Sequence, residues 1–173
     1  MQKLPRFLLF CLLFWMVGCG IFNKNKNKNN TTNKGDTKIT ENTKYNNRTI
    51  STVVQTARYY TGTPYKFGGL TEEGLDCSGL VTLAFNSVSL KLPRVSAEMA
   101  TVGREINVRD VKVGDLVFFV TDSGTRINHV GIVTETKDPN NILFIHSASK
   151  GVREDNLFSK YYQSTFVKAT RPF

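Results

Sequence analysis

The amino-acid sequence predicts an α+β domain, with helices in its N-terminal half and an antiparallel sheet in its C-terminal half. Residues 50–60 place apolar side chains at i, i+3, i+4 and i+7, the spacing of a helix with one buried face. From residue 116 onward, short apolar and β-branched runs are separated by Gly, Asp, Asn and Pro, which is typical of strands and turns. Helices followed by strands indicate the α+β class.

The individual elements follow from the same patterns. The first helix is expected to end at Gly62, and a turn-rich connection follows up to Gly69. A second helix is expected after Asp76. Its buried stripe is formed by Leu80, Val81, Ala84, Phe85 and Val88. The strands are expected near residues 116–120, 130–133, 142–145 and 166–169.

The first 18 residues have the pattern of a secretory signal. Lys3 and Arg6 precede an apolar run at residues 7–17, which is too short to span a bilayer comfortably. A small residue, Gly18, stands immediately before Cys19. This arrangement resembles the bacterial lipobox, which implies cleavage before Cys19 and a lipid on its thiol. The alternative is an ordinary secretory signal with an incidental cysteine.

The segment 19–49 is expected to tether the domain at residues 50–173 to the membrane through that lipid. It is rich in Asn, Lys and Thr and has almost no apolar side chains, so it cannot offset its chain entropy by burial. Residue 20 after the lipidated cysteine is glycine and lacks the acidic character associated with inner-membrane retention. This favours the outer membrane, with the domain facing the periplasm.

The net charge of +9 does not indicate a nucleic-acid partner. Residues 1–49 carry nine basic and two acidic side chains, whereas residues 50–173 carry fourteen basic and twelve acidic ones. The domain itself is therefore nearly neutral. A nucleic-acid footprint requires a basic stripe on the folded part, and none can be read there.

Cys77 is the candidate nucleophile. Of the three cysteines, Cys11 would leave with the signal and Cys19 would be acylated, so one free thiol would persist in an oxidising compartment. Cys77 lies at the expected start of the second helix, where unpaired N–H groups and the helix dipole favour the thiolate. Its own N–H is a candidate oxyanion donor. The alternative is a small buried hydrophobic residue.

The two histidines of the chain are candidate partners for this thiol. His129 and His146 each lie at the edge of an expected strand. An antiparallel pairing of those strands could bring both imidazoles to one side of the sheet. A thiol, an imidazole base and a second polar group that orients the base form an activated nucleophile. Structural histidines, or a zinc site of Cys77 with both histidines, are the alternatives.

Six short motifs occur in a characteristic order. They are Pro64-Tyr65-x-x-Gly68-Gly69, Asp76-Cys77-Ser78-Gly79-Leu80, Leu92-Pro93-Arg94, Gly114-Asp115-Leu116-Val117-Phe118-Phe119, His129-Val130-Gly131-Ile132 and Ile145-His146-Ser147-Ala148. In this order they resemble the NlpC/P60 family of cell-wall peptidases, and the resemblance covers residues 50–173. It implies a papain-like fold and hydrolysis of peptidoglycan stem peptides, commonly between D-γ-glutamyl and a diamino acid.

The resemblance also implies roles for individual residues. Cys77 matches the nucleophile, His129 the general base and His146 the residue that orients it. The positions associated with substrate binding are Tyr65, Asp76, Ser78, Arg94 and Ser96. Neither a metal nor another cofactor is expected, and the protein is expected to be a monomer. Two other functions stay open: a different papain-like thiol amidase or acyltransferase, and a non-catalytic wall-binding lipoprotein.

Overall fold

The computed structural model describes residues 47–173. The α-helices are α1 (Asn47–Tyr59), α2 (Cys77–Asn86), α3 (Ser96–Met99) and α4 (Lys160–Thr165). The strands are β1 (Leu70–Thr71), β2 (Gly74–Leu75), β3 (Arg104–Ile106), β4 (Leu116–Phe119), β5 (His129–Asp138), β6 (Asn141–Ala148), β7 (Gly151–Asn156) and β8 (Phe166–Arg171). A short 3₁₀ helix spans Val108–Asp110. Within the described range, none of the helices has the length and hydropathy needed to cross a bilayer.

The expected signal peptide at residues 1–18, the lipidated Cys19 and most of the tether at residues 19–49 lie outside the described residues. The end of the expected tether does not. Asn47, Arg48 and Thr49 already belong to α1, so the first helix begins three residues before the expected start at residue 50. It ends at Tyr59, and Gly62 adopts a positive φ of 88° in the turn that follows.

The main sheet has six strands in the order β3-β8-β4-β5-β6-β7, and every pairing of neighbours is antiparallel. The small hairpin β1-β2 forms a separate two-stranded sheet just before α2. The α+β class and the antiparallel sheet predicted from the sequence are therefore confirmed. The expected strands at residues 116–120, 130–133, 142–145 and 166–169 correspond to β4, β5, β6 and β8.

Both faces of the sheet are buried. Alternate side chains of β4 point to opposite faces, so Leu116 and Phe118 join one hydrophobic cluster and Val117 and Phe119 join another. The first cluster includes buried residues of α1 and α2, and the second includes Tyr162 of α4. This explains why β4 is apolar throughout rather than alternating.

Helix α2 positions the candidate nucleophile. Asp76 caps the helix, because its side chain accepts a 2.6 Å hydrogen bond from the Gly79 N–H. The stripe expected to be buried does face the core, although Val88 lies beyond the end of the helix and is only partly buried. Cys77 is thus the first residue of a capped helix whose opposite side is fixed in the core.

Several elements were not predicted from the sequence. The strands β1, β2 and β3 and the helices α3 and α4 have two to six residues each, too few to show a period. β7 also has six residues, and its central residues Arg153, Glu154 and Asp155 are charged. Charged residues are typical of a sheet edge, and β7 is an edge strand. Both β7 and α4 contribute to the site described next.

Candidate active site

The hairpin β1-β2 and the first turn of α2 pack so closely that only glycine fits between them. A Cβ atom at Gly79 would overlap with the backbone oxygen of Gly69. The Gly68 N–H also donates a 2.9 Å hydrogen bond to Asp76. The glycines of two sequence motifs therefore fix the segment before Cys77 against the helix that carries it.

The Cys77 thiol lies against the start of β5. Its Sγ atom is 3.8 Å from the backbone oxygen of Asn128, and the backbone N–H of Val130 also bonds to the sulfur. These two residues flank His129 in sequence. The thiol is therefore placed beside the segment that carries the candidate base, and both side chains border one cavity.

The protonation state of Cys77 differs from the sequence expectation. Burial raises the pKa of the thiol above its ordinary value, and the negative charge of Asp76 acts in the same direction. The Val130 and Ser78 N–H groups oppose this effect but do not outweigh it. The N–H groups at the helix N-terminus thus favour the thiolate as expected, but burial outweighs them, so the pKa of Cys77 is raised rather than lowered.

His129 and His146 form a direct pair. His129 Nε2 is 2.9 Å from His146 Nδ1, and the two rings meet edge to face with centroids 5.0 Å apart. The antiparallel pairing of β5 with β6 brings them together, as the sequence indicated. The pKa of His129 is lowered to about 3. Burial is the largest cause, and the neighbouring His146 and Arg153 act in the same direction. His129 is thus neutral at pH 7, with neither ring nitrogen positively charged.

Aromatic side chains surround this pair. Phe144 stacks on His146 with ring centroids 4.9 Å apart. Tyr162 also packs against His146, and Phe119 packs against His129. Phe144 can occupy this position because residue 131 is glycine: a Cβ there would lie 2.5 Å from its ring. The glycine of the His129-Val130-Gly131 motif therefore makes room for the ring that supports His146.

A carboxylate that the sequence did not reveal completes the hydrogen-bonded chain. His146 Nε2 is 2.9 Å from Asp155 Oδ2, and the same oxygen is 2.8 Å from Arg153 Nη2. Asp155 lies on β7, whose register places Arg153 opposite His146. The two-residue turn at 149–150 fixes that register and puts residue 155 on the same face as residue 153.

All five residues expected to bind substrate border a cavity of about 440 Å³ that also reaches Cys77. They are Tyr65, Asp76, Ser78, Arg94 and Ser96. A second cavity of about 470 Å³ shares Tyr65, Phe67, Cys77 and Asn128 with the first and extends to His129 and Tyr161. The two cavities form one groove past the thiol. Phe67 borders both and is 90% exposed.

Asp76 and Arg94 are paired with each other at the wall of this groove. Arg94 donates bonds of 2.9 and 2.7 Å to the two oxygens of Asp76, and a further bond of 2.7 Å to Ser78 Oγ. Burial alone would raise the pKa of Asp76, but the hydrogen bonds from Arg94 and the Gly79 N–H hold it below its ordinary value. Asp76, Ser78 and Arg94 thus hydrogen-bond to one another and also border the groove.

The zinc alternative requires three ligands that converge on one point. Among residues 47–173, no group of three or more His, Cys, Asp and Glu side chains is arranged to bind a metal ion. His146 Nδ1 instead contacts His129 Nε2.

The chain is similar to several known proteins. It is 45% identical over 112 residues to "Probable endopeptidase NlpC" of Escherichia coli (strain K12), which covers 64% of this chain and 70% of that protein. It is 35% identical over 85 residues to "Gamma-D-glutamyl-L-lysine dipeptidyl-peptidase" of Bacillus subtilis (strain 168), which covers 49% of this chain and 29% of that protein.

A solved structure from Staphylococcus aureus subsp. aureus Mu50, described as similar to lipoprotein of the NLP/P60 family, has the same fold. It superposes with a TM-score of 0.65 and 31% identity, and the match covers 79% of this chain and 44% of that one. This chain thus spans less than half the length of that structure.

The model of the NlpC/P60 family matches residues 62–171, which include every element from β1 to β8. The match extends over the groove, Cys77, both histidines and Asp155. It confirms the resemblance stated from the sequence, together with the α+β fold and the class of cysteine endopeptidase that the resemblance implied. The chain belongs to the NlpC/P60 family.

Proposed function

We propose that this protein hydrolyses the stem peptides of peptidoglycan, with Cys77 as nucleophile, His129 as general base and His146 as the group that orients His129. The observation that carries the proposal is that Cys77 and His129 border one cavity of the groove, while the buried His146 is 2.9 Å from His129. The E. coli and B. subtilis relatives are named as an endopeptidase and a peptidase.

The resting enzyme would contain a neutral thiol and a neutral imidazole, because burial raises the pKa of Cys77 and lowers that of His129. As Sγ attacks the peptide carbonyl carbon, its proton passes to His129. The Cys77 N–H, at the helix N-terminus, is the candidate donor to the oxyanion. The C–N bond then breaks, and His129 gives its proton to the departing amine.

Water completes the reaction. His129, neutral again, removes a proton from a water molecule that attacks the thioester carbonyl. The C–S bond breaks, the thiolate regains the proton and the carboxylic acid product leaves. His129 carries a positive charge only while it holds the transferred proton. His146, as the neutral group that orients His129, is therefore most important in the transition state.

The proposed bond is the one between D-γ-glutamate and the diamino acid of the stem. The name of the B. subtilis relative specifies a γ-D-glutamyl-L-lysine bond, which supports this choice. The two connected cavities give room for peptide on both sides of the bond that is cut. Tyr65, Asp76, Ser78, Arg94 and Ser96 are the proposed substrate-binding residues, because all five border the groove.

The proposed location is the cell envelope, with Cys19 carrying a lipid that anchors the protein to the outer membrane and the domain facing the periplasm. The support is the sequence pattern of residues 1–18 followed by Cys19. The protein is proposed to act as a monomer, with peptidoglycan as its macromolecular partner. An anchored enzyme stays concentrated near its substrate without any change in its active site.

Digestion of purified peptidoglycan, followed by mass spectrometry of the products, tests the proposed function. Release of the part of the stem that begins with the diamino acid, with the preceding dipeptide left on the glycan, is the expected result. Glu154→Gln serves as a control because Glu154 pairs with Arg58 outside the groove. Release of intact stems would instead indicate an amidase. Binding without any new product would indicate a non-catalytic wall protein.

A further inference from the structure

His146 lies at the centre of a hydrogen-bonded chain and is completely buried. Its Nδ1 atom is 2.9 Å from His129 Nε2, and its Nε2 atom is 2.9 Å from Asp155 Oδ2. A second oxygen, Tyr162 Oη, lies 3.2 Å from the same Nε2 atom. The Asp155 carboxylate, which accepts hydrogen bonds, and the Tyr162 hydroxyl, which can donate one, therefore compete for His146 Nε2.

The position of each proton follows from the character of Asp155. Burial alone would raise its pKa, but the hydrogen bonds from His146 and Arg153 hold it below its ordinary value, so it is ionised at pH 7. An ionised carboxylate only accepts hydrogen bonds. His146 Nε2 must therefore donate, and in a neutral ring its Nδ1 must then accept. His129 Nε2 supplies that proton, which leaves the lone pair of His129 on Nδ1.

We propose that Asp155 is a positioning residue that fixes the tautomers of both histidines, so that His129 presents an unprotonated Nδ1 to the thiol of Cys77. The inference rests on the proposed function and adds a second positioning residue, which acts through His146. The contact between Asp155 and His146, rather than any contact with substrate, carries it.

Tyr162 shows what would happen without the carboxylate. Burial, together with the negative charge of Asp155, raises the pKa of its phenol, so the hydroxyl stays protonated. If Asp155 were absent, that hydroxyl could donate to His146 Nε2. His146 would then carry its proton on Nδ1 and donate to His129 Nε2, and the proton of His129 would move to its Nδ1. His129 could no longer accept the proton of Cys77.

The charged and titratable groups around His146 come from three elements. β5 contributes His129, β7 contributes Arg153 and Asp155, and α4 contributes Tyr162. Arg153 holds the carboxylate in place through a 2.8 Å ion pair with the oxygen that faces His146. Asp155 is partly exposed, so removing it opens a path to water rather than a large internal cavity.

Nitrogen NMR of the purified protein labelled with ¹⁵N-histidine, with any histidine tag removed, tests the assignment without substrate. The chain has two histidines, so each ring can be followed separately. At pH 7 both rings should carry their proton on Nε2 in the wild type. Asp155→Ala should move both protons to Nδ1, and the added change Tyr162→Phe should return them to Nε2. Asp155→Asn keeps an oxygen acceptor and should keep the wild-type tautomers.

Kinetics should follow the tautomers. Asp155→Ala should lower kcat by about 10- to 100-fold with KM little changed, less than the roughly 10⁴-fold effect of an aspartate in direct contact with the base in serine proteases. The double variant Asp155→Ala/Tyr162→Phe should recover several-fold in kcat. Glu154→Gln, which removes the adjacent carboxylate of β7, is the matched control and should leave both tautomers and kcat unchanged.

The inference is overturned if Asp155→Ala leaves both tautomers as in the wild type, whether or not kcat falls. It is also overturned if adding Tyr162→Phe lowers kcat further rather than raising it. Failure of the proposed function has a different signature: a wild-type protein that forms no new product from peptidoglycan, or a Cys77→Ser variant that still hydrolyses stem peptides. The NMR result does not depend on that activity, so the two failures can be distinguished.

Discussion

Acidification should destabilise the folded protein because its two histidines are buried in neutral form. The pKa of His129 falls from 6.5 to about 3 on folding, and that of His146 is also lowered, with burial as the largest cause for both. Between these values the unfolded state binds more protons than the folded state. The free energy of unfolding therefore rises with pH in this window and is lost as the pH falls through it.

The size of the effect follows from the shift of His129. A proton bound only in the unfolded state gives a slope of about 1.4 kcal/mol per pH unit, which applies below the unfolded pKa of 6.5. Integrated from pH 7 to pH 4, His129 alone should cost about 3 kcal/mol, and His146 adds to this. Small domains have only about 5–15 kcal/mol of stability in total. The lowered pKa values of Asp76 and Asp155 act in a separate window, below their ordinary value of 3.8.

Urea unfolding at several pH values between 7 and 4 measures this slope. The double variant His129→Gln/His146→Gln removes both titrating groups, so its stability should fall much less over the same range. Val133→Ala is the matched control, because it removes buried apolar atoms from β5 but no ionisable group. It should be less stable at every pH and keep the wild-type slope. A wild-type protein whose stability is constant from pH 7 to pH 4 would refute the reasoning.

Three further predictions concern the chemistry and the tether. His129→Gln should lower the rate of stem-peptide hydrolysis by about 10²–10⁴-fold and His146→Gln by clearly less, and equal losses would invert the roles assigned to them. The rate at which iodoacetamide alkylates Cys77 should still rise as the pH passes 9.0, since burial raises its pKa above that value, and a plateau below pH 7 would indicate a resting thiolate. A fragment of residues 47–173, which keeps α1 whole, should hydrolyse dissolved stem peptides as fast as the full chain but act less well in cells, where anchoring raises its local concentration. Equal function of fragment and full chain in cells would contradict the role of the tether.

The sequence indicates those elements that show a regular spacing of apolar residues together with a reactive side chain. Helix α2 shows its buried stripe, its cap at Asp76 and a cysteine at its first position, and these are local features that a short window contains. The pairing of His129 with His146 could be inferred because the two strands are consecutive and antiparallel neighbours need only a short connection.

The sequence does not indicate features that depend on tertiary contacts. Asp155 is one of three consecutive charged residues on β7, each of which looks like a solvated edge position, yet one of them contacts a completely buried imidazole. The raised pKa of Cys77 is not indicated by the sequence for a related reason. A helix N-terminus can be recognised from local sequence, whereas the burial that outweighs it is produced by the start of β5, about 50 residues away.

The measurement that tests the account most directly is the rate at which Cys77→Ser hydrolyses a stem peptide containing the γ-D-glutamyl–diamino acid bond, with and without a metal chelator. A serine hydroxyl in this site would stay protonated and is a far weaker nucleophile than the thiol that it replaces. We expect less than a few per cent of the wild-type rate from the folded variant, and a wild-type rate that a chelator does not change. A folded Cys77→Ser protein that hydrolyses the peptide at a substantial rate, or a wild type that chelators inactivate, would contradict the assignment of Cys77 as the nucleophile.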